Sequence, residues 1–279
     1  MELSYRHWGE PSDRNNNRKP KILLLHGMGG TGSLWRPIAA LLEDEFEILA
    51  PDQRGHGRSQ SLPESDPAPG FSPLDYAEDL VQTLAQTGFH PCIAVGHSMG
   101  ARTACALAAL RPEWIRGLVI VDLGLDGLAG GGLGESLAKF IQILPDQFKN
   151  REEAREFMRS HCPDPSIAQY LMAVATLTPP TEGGALRFPF SHQALLKTID
   201  AARGTSLRPW ILNAATRGIP VLALRGETSR VWSKESYEKD RLGFEPSLPV
   251  FFEEISGAGH GLPFEKRNEF VQRLKQFSA

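Results

Sequence analysis

The sequence predicts an α/β protein: a doubly wound, mostly parallel sheet with a helical cap inserted into it. Three observations predict this class. Short continuous apolar runs alternate with segments of helical spacing, as buried parallel strands and their crossover helices require. Glycine-rich turns directly follow several of those runs. One long stretch, 126–213, breaks the alternation and carries helical patterns alone. The 279 residues suit one large domain with an insertion.

Taken in order, residues 1–19 are polar, and Asp13–Arg18 reads as a hairpin loop joining short N-terminal strands. Lys21–Leu25 is the first buried strand and ends in the turn His26-Gly-Met-Gly-Gly30. A helix is expected over 34–45, then a strand at Phe46–Ala50. Residues 60–73 hold four prolines and read as loop. Leu74, Ala77, Leu80, Val81 and Leu84 share one face of a helix running to Thr87. Cys92–Val95 is a third buried strand and runs straight into Gly96-His-Ser-Met-Gly100. The next helix, Ala101–Leu110, is rich in small residues that let it lie close on a sheet. Gly117–Val121 is a strand ending at Asp122. Helical patterns near 135–144, 151–161, 166–177 and 191–203 make the cap, which leaves 1–125 and 214–279 as the core. Strands resume at Pro220–Leu224 and Pro249–Ile255, and a last helix spans 264–277. In such sheets ligands bind at the carboxyl ends of the strands, where every notable motif here falls.

Composition narrows the function. Net charge is −3, and no basic run argues for a nucleic-acid partner. The three cysteines, Cys92, Cys105 and Cys162, fit neither zinc spacing nor a disulfide framework and read as free thiols. No apolar run of signal-peptide or membrane-span length is visible, so a soluble, cytoplasmic protein without a membrane partner is expected. Oligomeric state leaves no mark in the sequence.

The strongest motif is Gly96-His97-Ser98-Met99-Gly100, set between a buried strand and a helix. That is the context of a nucleophile elbow, in which a sharp turn lifts the serine hydroxyl above the sheet and leaves no room for side chains two residues away. Together with His26-Gly-Met-Gly-Gly30, Asp52-Gln-Arg-Gly-His-Gly-Arg-Ser59 and Gly257-Ala-Gly-His-Gly261, in that order, the chain resembles the α/β-hydrolase superfamily over nearly its whole length. It is most similar in type to small bacterial esterases and thioesterases with a helical cap.

The resemblance implies Ser98 as nucleophile and His260 as general base, in the family order serine, acid, histidine. It implies an oxyanion hole made by the backbone N–H groups of Met28 and Met99. Gly27 and Gly29 let the first turn approach a substrate. Asp52, Arg54 and Gly57 read as structural. The acid departs from the usual pattern: Gly226-Glu-Thr-Ser229 puts a serine where the family has aspartate. Certain haloalkane dehalogenases carry the acid after the preceding strand, which matches Asp122. Asp122 is therefore expected to orient His260, with Ser229 sharing the hydrogen bond; Glu227 is a third candidate, which points elsewhere if the family turn is kept.

Serine chemistry implies acyl transfer to and from an ester or thioester, with no metal and no organic cofactor. A small-molecule acyl ester of small to medium size is the expected partner, and cap residues such as Phe140, Phe157 and Tyr170 are candidates for its pocket. Charges in 126–213 balance, which gives no sign of a strongly anionic substrate. A lactonase or a C–C bond hydrolase would use the same triad. A hydrolase-derived binding protein that has lost turnover is the reading from another class.

Overall fold

The computed structural model describes residues 1–10, 19–60, 70–127, 133–179 and 183–278. The core elements run β1 (Tyr5–Trp8), β2 (Lys21–Leu25), α1 (Arg36–Ala39), β3 (Glu47–Pro51), α2 (Pro73–Thr87), β4 (Cys92–His97), α3 (Met99–Leu110) and β5 (Ile115–Val121). The inserted stretch follows with α4 (Leu133–Ile143), β6 (Gln147–Phe148), α5 (Arg151–His161), α6 (Pro165–Val174), β7 (Thr176–Leu177), β8 (Leu186–Arg187) and α7 (His192–Ala201). The chain closes with α8 (Arg208–Thr216), β9 (Val221–Gly226), α9 (Lys234–Leu242), β10 (Val250–Ile255), α10 (Leu262–Glu265) and α11 (Arg267–Ser278).

Seven strands form one sheet in the order β1-β3-β2-β4-β5-β9-β10. All neighbours are parallel except β1, which pairs antiparallel with β3. Alternate residues of each strand face opposite sides, as the two-residue period of a strand demands. Leu23, Leu25, Ala94, Leu118, Ile120, Val221 and Ala223 meet α2, α3 and α8 on one side. On the other, Ile22, Leu24, Val95, Val119, Val121, Leu222 and Leu224 meet Trp35, Ile38, Phe270 and Leu274. Registers pairing Leu25 with Gly96, His97 with Val121, Val121 with Leu224 and Gly226 with Ile255 align the carboxyl ends of the central strands along one edge.

Several expectations change in detail. The N-terminal strands are not a hairpin: β3 lies between β1 and β2, and the loop 13–18 falls outside the described residues. The helix expected over 34–45 is a 3₁₀ turn at Gly32–Trp35 followed by the single turn of α1, since only Trp35, Ile38, Ala39 and Leu42 have core to pack on. The stretch expected to form the cap carries a small antiparallel sheet, β6-β8-β7, whose two-residue strands are too short to show a period. The last helix is broken at Lys266, giving α10 and α11. Helix α8 packs on the core through Leu207, Ile211 and Ala214, and α9 lies between the last two strands in sequence. Cys92 and Cys105 are buried and Cys162 half-buried, all as free thiols.

Candidate active site

Ser98 follows β4 and heads α3 with φ 53° and ψ −119°, and Asp122 follows β5 with φ 50°. Among the described residues these are the only non-glycine residues in the left-handed region, a conformation that costs energy and that packing must enforce. At Ser98 the enforcement is visible. Its N–H donates to the Val121 carbonyl at 2.9 Å, and the flanking glycines leave no space for a methyl group. A Cβ on Gly96 would stand 2.2 Å from the Gly100 carbonyl oxygen, and one on Gly100 2.3 Å from that of Leu25.

Ser98 and His260 line one cavity of about 40 Å³, together with Gly27, Met28 and His97 from the core. Leu137, Ile141, Ile167, Tyr170, Leu171 and Leu195 cover it from α4, α6 and α7. The His260 Nδ1–H donates to Asp122 Oδ2 at 2.8 Å. Asp122 is wholly buried and accepts two further hydrogen bonds, from the Gly226 N–H at 2.9 Å and from Ser229 Oγ at 2.5 Å. Ser229 thus bonds to the carboxylate rather than to the imidazole. Its oxygen in turn accepts the Val231 and Trp232 N–H groups at 3.2 and 3.4 Å. Three donors on one buried carboxylate fix its position. Glu227 points away, accepting from Ser256 Oγ and the Gly257 N–H at the surface.

The first turn is braced by two histidines. His26 Nδ1–H donates to the Gly27 carbonyl at 2.9 Å, while Nε2 accepts the Gln53 N–H at 3.0 Å. His56 Nδ1–H donates to the Arg54 carbonyl at 2.9 Å, and its Nε2 accepts the Gly29 N–H at 3.0 Å. Both rings act as acceptors and so are neutral, and burial pushes the pKa of His26 down and that of His56 down to about 3. The Gly29 N–H is therefore engaged, whereas the Met28 and Met99 N–H groups have no partner among the described residues. Asp52 ties the same loops by accepting the Gly32 and Arg58 N–H groups at 2.7 and 3.0 Å.

Sequence reasoning gives His97 only a structural reading and Tyr170 only a place among the aromatic cap residues that could line an acyl pocket; the structure puts both at the cavity. His97 Nε2–H donates to the His260 carbonyl at 2.7 Å, so the residue beside Ser98 holds the loop that delivers His260. Tyr170 reaches down from α6 and donates to the Gly27 carbonyl at 3.2 Å. The position of His97 inside the elbow was its only signal, and that of Tyr170 was its aromatic side chain within the expected cap. Phe140 and Phe157 face each other at 6.3 Å within the packing of the cap itself and are not among the cavity residues. Among the described residues, no group of three His, Cys, Asp or Glu is placed to hold a metal ion, and no helix is long and apolar enough to cross a membrane.

Residues 20–267 match the family described as the alpha/beta hydrolase fold. The chain belongs to that family. This α/β hydrolase is 30% identical over 262 residues to the 2-(acetamidomethylene)succinate hydrolase of Mesorhizobium japonicum, spanning 88% of the chain and 84% of the relative. It is 26% identical to the sn-1-specific diacylglycerol lipase ABHD11 of Mus musculus, over 93% of the chain and 81% of that protein. Among solved structures, an E-2-(acetamidomethylene)succinate hydrolase superposes with a TM-score of 0.78 at 27% identity, covering 99% of this chain and 94% of that one. A marine microorganism esterase shares the fold with a TM-score of 0.78 at 23% identity, over 99% of both chains.

Proposed function

We propose that this α/β hydrolase cleaves a carboxylic ester or thioester through an acyl-enzyme on Ser98. One observation carries the reading: a strained serine at the head of α3 lines one cavity with His260, whose far nitrogen is held by the buried carboxylate of Asp122. Asp122 keeps His260 in the tautomer with a free Nε2 lone pair, the state a general base needs. His260 takes the proton as Ser98 Oγ forms its bond to the acyl carbon. The Met28 and Met99 N–H groups receive the negative charge that develops on the carbonyl oxygen. When the bond to the leaving group breaks, His260 returns the proton to it. Water, deprotonated by the same imidazole, then releases the acid and restores Ser98.

Residues 126–213 act in this reading as a cap over the site, with α8 anchoring its end on the core. An acyl ester needs several hundred cubic ångströms, far more than the roughly 40 Å³ present, so substrate entry moves the cap. The names of the two curated relatives describe different substrates, so family membership does not select one. A fluorophosphonate probe tests the assignment. Labelling of wild type that vanishes in Ser98→Ala, with loss of turnover on a chromogenic ester and thioester panel, supports it. Absence of labelling in the wild type, or labelling that survives Ser98→Ala, rules it out.

A further inference from the structure

His97 carries an atom the proposed chemistry leaves unused. Its Nε2–H is fixed by the His260 carbonyl, so Nδ1 bears a lone pair. The side chain is 1% exposed, and Nδ1 has no partner among the described residues. Burial pushes the ring's pKa down to about 3, which keeps that nitrogen an acceptor. A buried acceptor without a donor is costly, and such an atom in a cavity wall calls for a ligand group.

Its surroundings say where that group would sit. A Cβ built on Gly27 would stand 3.0 Å from His97 Nδ1, 3.3 Å from Ser98 Cβ and 3.3 Å from Tyr170 Oη. Glycine at 27 thus leaves open the approach to Nδ1 beside the serine. Tyr170 directs its hydrogen at the Gly27 carbonyl, which already accepts from His26 and Gly30, so its oxygen adds a second acceptor. The cap side of the cavity is otherwise aliphatic, formed by Leu137, Ile141, Ile167, Leu171 and Leu195.

We infer that His97 Nδ1 and Tyr170 Oη receive an O–H or N–H carried on the atom next to the scissile carbonyl, so that the substrate is an α-hydroxy or α-amido ester rather than a plain alkyl ester. The inference rests on the proposed role of Ser98. It makes His97 a specificity-determining residue as well as the tether of the His260 loop.

The test compares kcat/KM for 4-nitrophenyl 2-hydroxybutanoate and 2-acetamidobutanoate with that for 2-methylbutanoate, which replaces the donor by a methyl group. The wild type is expected to favour one donor ester by about 10–100-fold, the effect of leaving a buried acceptor unpaired. The two donor esters separate a hydroxyl from an amide substrate. In His97→Gln the amide nitrogen can still reach the His260 carbonyl, while the ring nitrogen Nδ1 is removed and the one remaining acceptor, Oε1, sits on a different framework, so the ratio is expected to fall toward one. A general loss of activity lowers all three esters alike and leaves the ratio unmoved. A ratio near one in the wild type, or an unchanged ratio in His97→Gln, overturns the inference. Fluorophosphonate labelling keeps the two failures apart: a labelled enzyme without the preference loses only the His97 assignment, whereas an unlabelled one loses the Ser98 reading as well.

Discussion

In the proposed reading, Asp122 and Ser229 divide between them what a single aspartate does in the pattern the chain resembles. The carboxylate comes from the end of β5, one strand earlier, and the hydroxyl at the usual place becomes one of its three donors. Asp122→Asn is expected to lower kcat on an activated ester by about 10³–10⁴-fold, because an amide presents a donor to His260 and selects the wrong tautomer. Ser229→Ala leaves the Gly226 N–H and the imidazole in place, so its loss should be roughly tenfold or less, on the scale of one hydrogen bond to a charge. Equal turnover in Asp122→Asn and wild type would exclude the carboxylate from the reaction. Ser98 and His260 were locatable in the sequence because each follows a strand within a short local motif, whereas Asp122 was reached only through the resemblance to certain haloalkane dehalogenases; the fold brings the three to one edge. Tyr170, Leu137 and Leu195 reach the cavity only through the seating of the cap, which no local spacing records. The same seating turns Phe140 and Phe157 into the cap's own packing.

Among elements, α2 shows how the loops under the site are secured. Ser72 and Asp75 form a reciprocal capping box, Pro73 opens the helix, and Gly88 closes it with φ 63°. Asp79, on its buried face, accepts from Arg54 Nε at 2.6 Å and Nη2 at 2.8 Å, and also pairs with the N-terminal amine. Arg54 belongs to the loop after β3 whose His56 braces the Met28–Gly29 turn. Asp79→Ala strands a guanidinium that is almost wholly enclosed and is expected to cost about 3–5 kcal/mol in urea unfolding, against about 1 kcal/mol for Ser72→Ala. If the two variants unfold at the same urea concentration, the Arg54 pair is not the anchor. Elements with this much local signal were readable: β2 and α5 fall at the expected residues, and α2 and β4 differ only at an end. Those decided by distant partners were not. The pairing of β1 with β3 and the two-residue strands of the cap depend on contacts made only once the chain has folded.

For the molecule as a whole, burial along the carboxyl edge of the sheet has an electrostatic consequence. Three histidines, His26, His56 and His97, are buried there in places where each ring accepts, or is left free to accept, a hydrogen bond. Desolvation lowers all three from 6.5, His56 and His97 to about 3. The folded chain therefore holds these rings neutral where the unfolded chain protonates them. Their contribution to stability is complete above about pH 6.5 and is lost as pH falls from there toward the folded values. Each ring adds up to about 1.4 kcal/mol per pH unit to the slope in that window. Unfolding free energies from urea titrations at pH 7.5, 6.0 and 5.0 should decline steeply in acid. The His97→Gln variant should decline less, by one proton's worth of slope, since its ring no longer titrates on unfolding. Parallel declines for the two proteins would mean that His97 is charged in the fold, and the lone pair assigned to Nδ1 would then not exist.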